Sequence, residues 1–175
     1  MRLTKFGHSC LLVEEGGARV LLDRNPGVRV VSDEGSAEAL GEAGADVEVV
    51  HDGDELALGG LALRVVGRDH AAVHPEVPVV PNVGYLVGGR LFHPGDALTI
   101  PGEPVEVLAV PAGAPWLKLE DAVDYLREVG PRVAVPVHEK LLSEVGIGAH
   151  YRLLEQLGGP GTAFEVLDDG RPVEL

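Results

Sequence analysis

The sequence predicts an α/β (α+β) chain with sheets packed inside helices, on three observations. Short apolar runs of strand length recur along its 175 residues, glycine turns join several of them into hairpins, and segments of helical period are interspersed among them. Hydrophobic residues make up 45% and are spread over the whole length, which suits one domain, 1–175, with a core of its own.

The elements follow in order. Leu3 to Glu14, the turn Glu15-Gly16-Gly17 and Ala18 to Asp23 read as a β-hairpin. Arg24-Asn25-Pro26-Gly27 is a turn, followed by the apolar run Val28 to Val31 and a helix from Ser36 to Ala43, approached by Ser32 or Asp33 as a cap and stopped by Gly44. Val47 to Val50, Glu55 to Leu58 and Leu61 to Val66 are short strands separated by turns. The stretch Asp69 to Pro81 holds two histidines and three prolines and reads as an irregular loop. Val83 to Val87, Gly88-Gly89 and Arg90 to Phe92 form a second hairpin, Val105 to Val110 a buried strand, Leu119 to Val129 an amphipathic helix and Val133 to Val137 a strand running into His138. The pattern places a last helix at Ala149 to Leu157 and a terminal strand pair, Phe164 to Leu175, around Asp168-Asp169-Gly170.

Composition excludes several functions. The formal charge of −14, from 28 acidic against 14 basic residues, opposes partners bound by neutralising phosphates, so no nucleic acid is expected. No apolar run approaches the roughly 20 residues of a membrane-spanning helix, and Met1 to Lys5 lacks the pattern of a secretory leader. A cytoplasmic location away from membranes is the expectation. Cys10, the one cysteine, reads as a small buried residue on a strand. There is no Gly-x-Ser-x-Gly elbow and no phosphate-binding Gly-x-x-x-x-Gly-Lys loop.

Seven histidines remain, and their placement points to metal chemistry, because imidazole and carboxylate groups at strand ends are rigidly held yet accessible. His51, in a charged turn, and His150, on the last helix, read as surface or structural. His8, within Phe6-Gly7-His8-Ser9-Cys10, reads as a donor supporting a site or as a satisfied strand histidine. His70, His74, His93, Asp96 and His138 stand out as a set, each ending a strand or lying in an adjacent loop. Trp116, the single tryptophan, is a candidate wall of a substrate pocket, with packing ahead of the following helix as the plainer reading.

Lys5-Phe6-Gly7-His8-Ser9-Cys10 with Val20-Leu21-Leu22-Asp23, then Asn82-Val83-Gly84-Tyr85-Leu86-Val87, Leu91-Phe92-His93-Pro94-Gly95-Asp96 and Val135-Pro136-Val137-His138, resemble small stand-alone hydrolases of the metallo-β-lactamase superfamily. The resemblance implies a four-layer αββα sandwich with metal at one edge of the sheets, where hydroxide attacks an ester, amide, lactone or phosphoester bond of a small molecule. It implies His70 as a ligand of the first metal, Asp96 as the bridge between two metals and His138 as a ligand of the second. His74 replaces His70 if the loop register differs, and His8 and His93 are supporting or alternative ligands. Ala97 stands where a hydroxyl residue often follows the bridging aspartate.

The family signature His-x-His-x-Asp-His occurs nowhere in this sequence. The resemblance places it between the strand ending at Asp23 and a following helix, where this chain passes through Arg24-Asn25-Pro26-Gly27 directly to Val28. The fold is therefore expected to be shortened by an internal deletion of a strand, the ligand loop and a helix. Three ligands are left, enough for one Zn²⁺ at most, with Mn or Fe as alternatives. Two functions follow: a metal-dependent hydrolase of reduced activity, or a non-catalytic binding or assembly module. An interior strand removed from a sheet leaves open edges, which a homo-oligomer would cover.

Overall fold

The computed structural model describes residues 1–22, 30–42, 44–167 and 170–175. The helix end expected at Ala43, the strand end at Asp23, the Arg24-Asn25-Pro26-Gly27 turn, the start of the following run at Val28 and the Asp168-Asp169 turn lie outside the described residues.

Three strands, β1 (Arg2–Phe6), β2 (Cys10–Glu15) and β3 (Ala18–Leu22), form an antiparallel meander with β1 paired to β2 and β2 to β3. Leu3, Leu11, Val13 and Val20 point from it into the core; β2 shows the period-2 alternation of a sheet buried on one face, whereas Leu3, Thr4 and Lys5 of β1 are all buried. Facing it is a seven-stranded sheet built from β6 (Glu55–Leu58), β7 (Leu61–Val66), β8 (Gly84–Val87), β9 (Leu91–His93), β10 (Val107–Pro111), β11 (Val133–Val137) and β12 (Ala163–Phe164). Its order runs β12-β11-β10-β9-β8-β7-β6. Leu63, Val87, Leu91, Val107, Ala109 and Val135 complete the layer between the sheets.

The outer face of the larger sheet is covered by α2 (Leu119–Val129) and α3 (Glu144–Leu157). Ala122, Val123, Tyr125 and Leu126 recur at helical spacing and are the buried face of α2. The helix ends where Gly130 takes the left-handed conformation and its N–H bonds to Leu126 O, with Pro131 next.

Two terminal expectations are corrected. The last helix begins at Glu144, five residues before Ala149, because Ser143 caps it by accepting from the Gly146 N–H at 3.2 Å. Phe164 to Leu175 does not form a strand pair of its own. β12 joins the larger sheet parallel to β11, while β13 (Pro172–Glu174) pairs with β1 in the smaller one.

Between the two sheets' free ends, β4 (Val30–Ser32) and β5 (Val47–Val49) form a separate parallel pair connected by α1 (Glu34–Glu42). Asp33 caps α1, its Oδ1 accepting from the Ser36 N–H at 2.9 Å. No α1 side chain is fully buried. β4 is not hydrogen-bonded to β3, which is the edge of the four-stranded sheet among the described residues. An open cavity of about 1250 Å³ lies here, lined by Leu22, Val31, Leu40, Leu58, Val83 and His93 among others.

Candidate functional site

β9, β10 and β11 are parallel, and β7 and β9 each run antiparallel to β8. The carboxyl ends of β7, β9 and β11 therefore share one edge of the larger sheet, and His70, Asp96 and His138 all follow those ends. The β1–β2 turn of the smaller sheet brings His8 to the same edge, where the His138 N–H donates to His8 O at 3.0 Å.

Asp96 is held by its backbone. Its N–H donates to Asn82 Oδ1 at 2.9 Å, and Asn82 Nδ2 donates to Pro94 O at 3.0 Å. Gly95 lies between them at φ 69°, where a Cβ would sit 2.3 Å from Asn82 Oδ1, so both the conformation and the space require glycine. The Asp96 carbonyl accepts from the Ala71 N–H at 2.9 Å, which ties the His70 loop to it. Asn82 escaped the sequence reading as a site residue; its signal was an asparagine just before a strand, a type that habitually organises loop backbone through its side chain.

The ring of His70 bonds through Nδ1 to Ala71 O at 2.6 Å, so Nδ1 carries the proton and Nε2 offers a lone pair 4.0 Å from Asp96 Oδ1. His138 Nδ1 lies 3.6 Å from that same oxygen. Trp116 Nε1–H donates to it at 3.3 Å, and the indole meets the His70 ring edge-on, with centroids 6.0 Å apart. Asp96 Oδ1 is thus the hub of the cluster.

His138 is the buried member. Burial is the largest influence on its ring and pushes its pKa down to about 4, against the opposing pull of Asp96. It also adopts φ 64°, the left-handed region that only Gly enters freely. Its Nδ1 is 3.2 Å from His8 Nε2, and a backbone hydrogen bond with Gly95 also acts on the ring. His93 has both ring nitrogens engaged: Nδ1 accepts from the Gly95 N–H at 3.1 Å, and Nε2 bonds to Ser9 O at 3.0 Å. His74 is exposed, its Nδ1 accepting from the Glu76 N–H at 3.2 Å. His51 pairs with Glu34 at the surface, and His150 donates to Ala112 O.

Below this edge runs a buried ion pair that the sequence reading did not single out, Lys5 with Glu139, the residue next to His138. Neither position carries a local signal, since the partners are 134 residues apart.

Whether these groups suit a metal depends on convergence. Among the described residues no group of three or more His, Cys, Asp or Glu side chains is placed to hold an ion. The donor chemistry nonetheless suits one ion: a carboxylate oxygen with an imidazole nitrogen on each of two sides, the Asp96 and His70 side chains being 41% and 23% exposed and so having room to close in.

Comparison with known proteins agrees with the fold. A profile of the β-lactamase superfamily domain matches residues 2–138. The protein Rv0786c of Mycobacterium tuberculosis is 40% identical over 211 aligned positions, covering 97% of each chain. The UPF0173 metal-dependent hydrolase of Carboxydothermus hydrogenoformans is 27% identical over 231 positions, covering 100% of both. Among solved structures, Igni18, a metallo hydrolase of Ignicoccus hospitalis, superposes with a TM-score of 0.72 at 18% identity, over 98% of this chain and 97% of its own. By the span of the profile and its identity to a relative of nearly full coverage, this chain belongs to the metallo-β-lactamase superfamily, in a family of metal-dependent hydrolases.

Proposed function

We propose that this chain is a metal-dependent hydrolase with an incomplete metal site, which binds one ion at most and turns over slowly. The observation that carries the reading is Asp96 Oδ1 placed between His70 Nε2 and His138 Nδ1 at 4.0 and 3.6 Å, in a sequence without His-x-His-x-Asp-His. The comparison with Rv0786c supports an internal deletion: the alignment spans 211 positions and this chain has 175 residues, so the relative carries a few dozen positions with no counterpart here. The 1250 Å³ cavity between β3 and β4 supports the same reading, being larger than the roughly 300–1,000 Å³ of an ordinary ligand pocket.

A bound Zn²⁺, Mn²⁺ or Fe ion supplies Lewis acidity to a substrate carbonyl or phosphoryl oxygen. The chain's own groups do the rest. Asp96, fixed through Asn82, and His70, fixed through Ala71, present the donors; the neutral ring of His138 adds no charge to repel a cation. Trp116 walls one side of Asp96 and directs its carboxylate. The substrate on this reading is a small molecule, since a chain of net charge −14 repels polyanions.

Elemental analysis of purified protein beside His70→Ala, Asp96→Ala and His138→Ala tests it. About one equivalent of metal in the parent, lost in all three variants, is the expected result. The second reading, a non-catalytic binding or assembly module that self-associates over the open β3 edge, is favoured by the lack of a three-donor group among the described residues. Protein that folds normally and holds no metal would leave only that one.

A further inference from the structure

The main-chain groups of β3 and β4 have a determined direction. The Gly16-Gly17 turn closes the β2–β3 hairpin with two residues, so Glu15 and Ala18 form its last hydrogen-bonded pair. Bonded pairs alternate along an antiparallel ladder, so Val13–Val20 and Leu11–Leu22 are bonded too. Leu21, between them, turns its N–H and C=O away from β2. On β4 the Val50 N–H donates to Ser32 O, which directs Ser32 toward β5 and its neighbour Val31 the opposite way. The Tyr85 hydroxyl, donating to Val31 O at 3.1 Å, agrees with that direction.

Leu21 and Val31 both line the 1250 Å³ cavity. Among the described residues no strand bonds the outer edge of β3, and β4 pairs with β5 alone. The Gly59 turn closes one end, its backbone so near that a Cβ there would sit 3.0 Å from Arg19 O. Leu63 and Val83 wall the cavity on the side of the larger sheet, and Ala39 and Leu40 on the side of α1. A strand lying there would meet apolar surface on both faces, as an interior strand does. The charge of the lining is equally selective. The chain has 28 acidic residues, yet none is among the described residues around the cavity, where the one fixed charge is Arg19, bonded to Glu14 Oε1 at 2.7 Å.

An alkyl chain would match these walls and bury the Leu21 and Val31 main-chain groups without partners, a cost it has no means to offset. An extended peptide satisfies walls and edges together. We propose that the cavity between β3 and β4 is a binding site for an extended, uncharged, apolar peptide, held by strand addition to Leu21 and Val31. The bound peptide joins the four-stranded sheet to the β4–β5 pair, with affinity from its main chain and selectivity from the walls. Neither Asp96, His70 nor His138 takes part, so the one-ion reading stands or falls separately.

The test titrates the full chain with the capped peptide acetyl-Thr-Val-Ile-Val-Thr-amide, by calorimetry and by amide hydrogen exchange. Saturation is expected to slow exchange at Leu21 and Val31 by about tenfold or more. The same peptide N-methylated at its central residues, which keeps the apolar side chains and loses the donors, binds about tenfold weaker or less. Leu40→Glu, on a helix with no fully buried side chain, weakens the parent peptide by at least about tenfold, and so does replacing the peptide's isoleucine by glutamate on the parent protein. Absence of binding overturns the proposal. Equal binding of the N-methylated peptide, or binding of palmitate in place of the peptide, overturns it in favour of a site for apolar molecules without main-chain recognition. Leu21 and Val31 amides already slow in the peptide-free chain show edges that are covered, and protection arising on β5 or β12 instead shows another edge in use; either result also overturns it.

Discussion

Lys5 Nζ donates to Glu139 Oε1 at 2.6 Å with the two side chains only 4% and 5% exposed, joining the first strand of the smaller sheet to the turn that begins beyond His138. The ammonium also donates to Pro136 O at 2.9 Å, so it clamps β11 just before the site. Removing one member of such a pair strands the other charge in the interior. Lys5→Met is expected to cost about 3–5 kcal/mol in denaturant unfolding, and Lys5→Met with Glu139→Met is expected to recover a large part of it. A loss under about 1 kcal/mol in the single variant would show that the pair is not coupled to folding.

Acid stability should depend on Glu106. Hydrogen bonds from Arg90 first, and then from Arg132, hold its carboxyl at about 2, well below the ordinary value. A carboxylate depressed in the folded state contributes stability that is fully present above its unfolded value, near 4.5, and is lost as pH falls through about 2. Glu106→Gln should accordingly flatten the fall in stability between about pH 4.5 and about pH 2. Parallel acid limbs for parent and variant in denaturation series would remove Glu106 from the account.

Trp116 offers a direct optical report on Asp96. It is the single tryptophan, and its indole N–H donates to the carboxylate oxygen shared by His70 and His138. Titration with Zn²⁺ should change its emission in the parent and leave it unchanged in Asp96→Ala. An equal response in both would place the ion away from Asp96.

Much of the frame was legible because it is written in local periodicity. The alternation of Leu11 and Val13 in β2 and the helical spacing of Ala122, Val123 and Leu126 in α2 each state which face is buried before any partner is known. α3 starts ahead of its sequence pattern because Gly146 and Gly148 in its first turns lower helix propensity, while the Ser143 cap holds those turns in the fold. The pairing of β13 with β1 joins the two ends of the chain, and no window of sequence contains both. At the site, strand-end positions placed His70, Asp96 and His138 on one edge. The geometry that decides their state comes from His8, Asn82, Lys5 and Glu139, whose contacts depend on how distant elements settle against each other.

The β4–α1–β5 unit, finally, bears on how the molecule opens. Its hold on the rest includes the Tyr85 hydroxyl donating to Val31 O and a small cluster in which Val31 packs against Val50, Val65 and Val83, while α1 itself buries no side chain fully. A helix so lightly anchored can lose its internal amide bonds while the paired sheets stay closed, so its hydrogens exchange with solvent by sub-global opening at a free energy below that of complete unfolding. The amides of α1 are then expected to exchange ahead of those of the paired sheets.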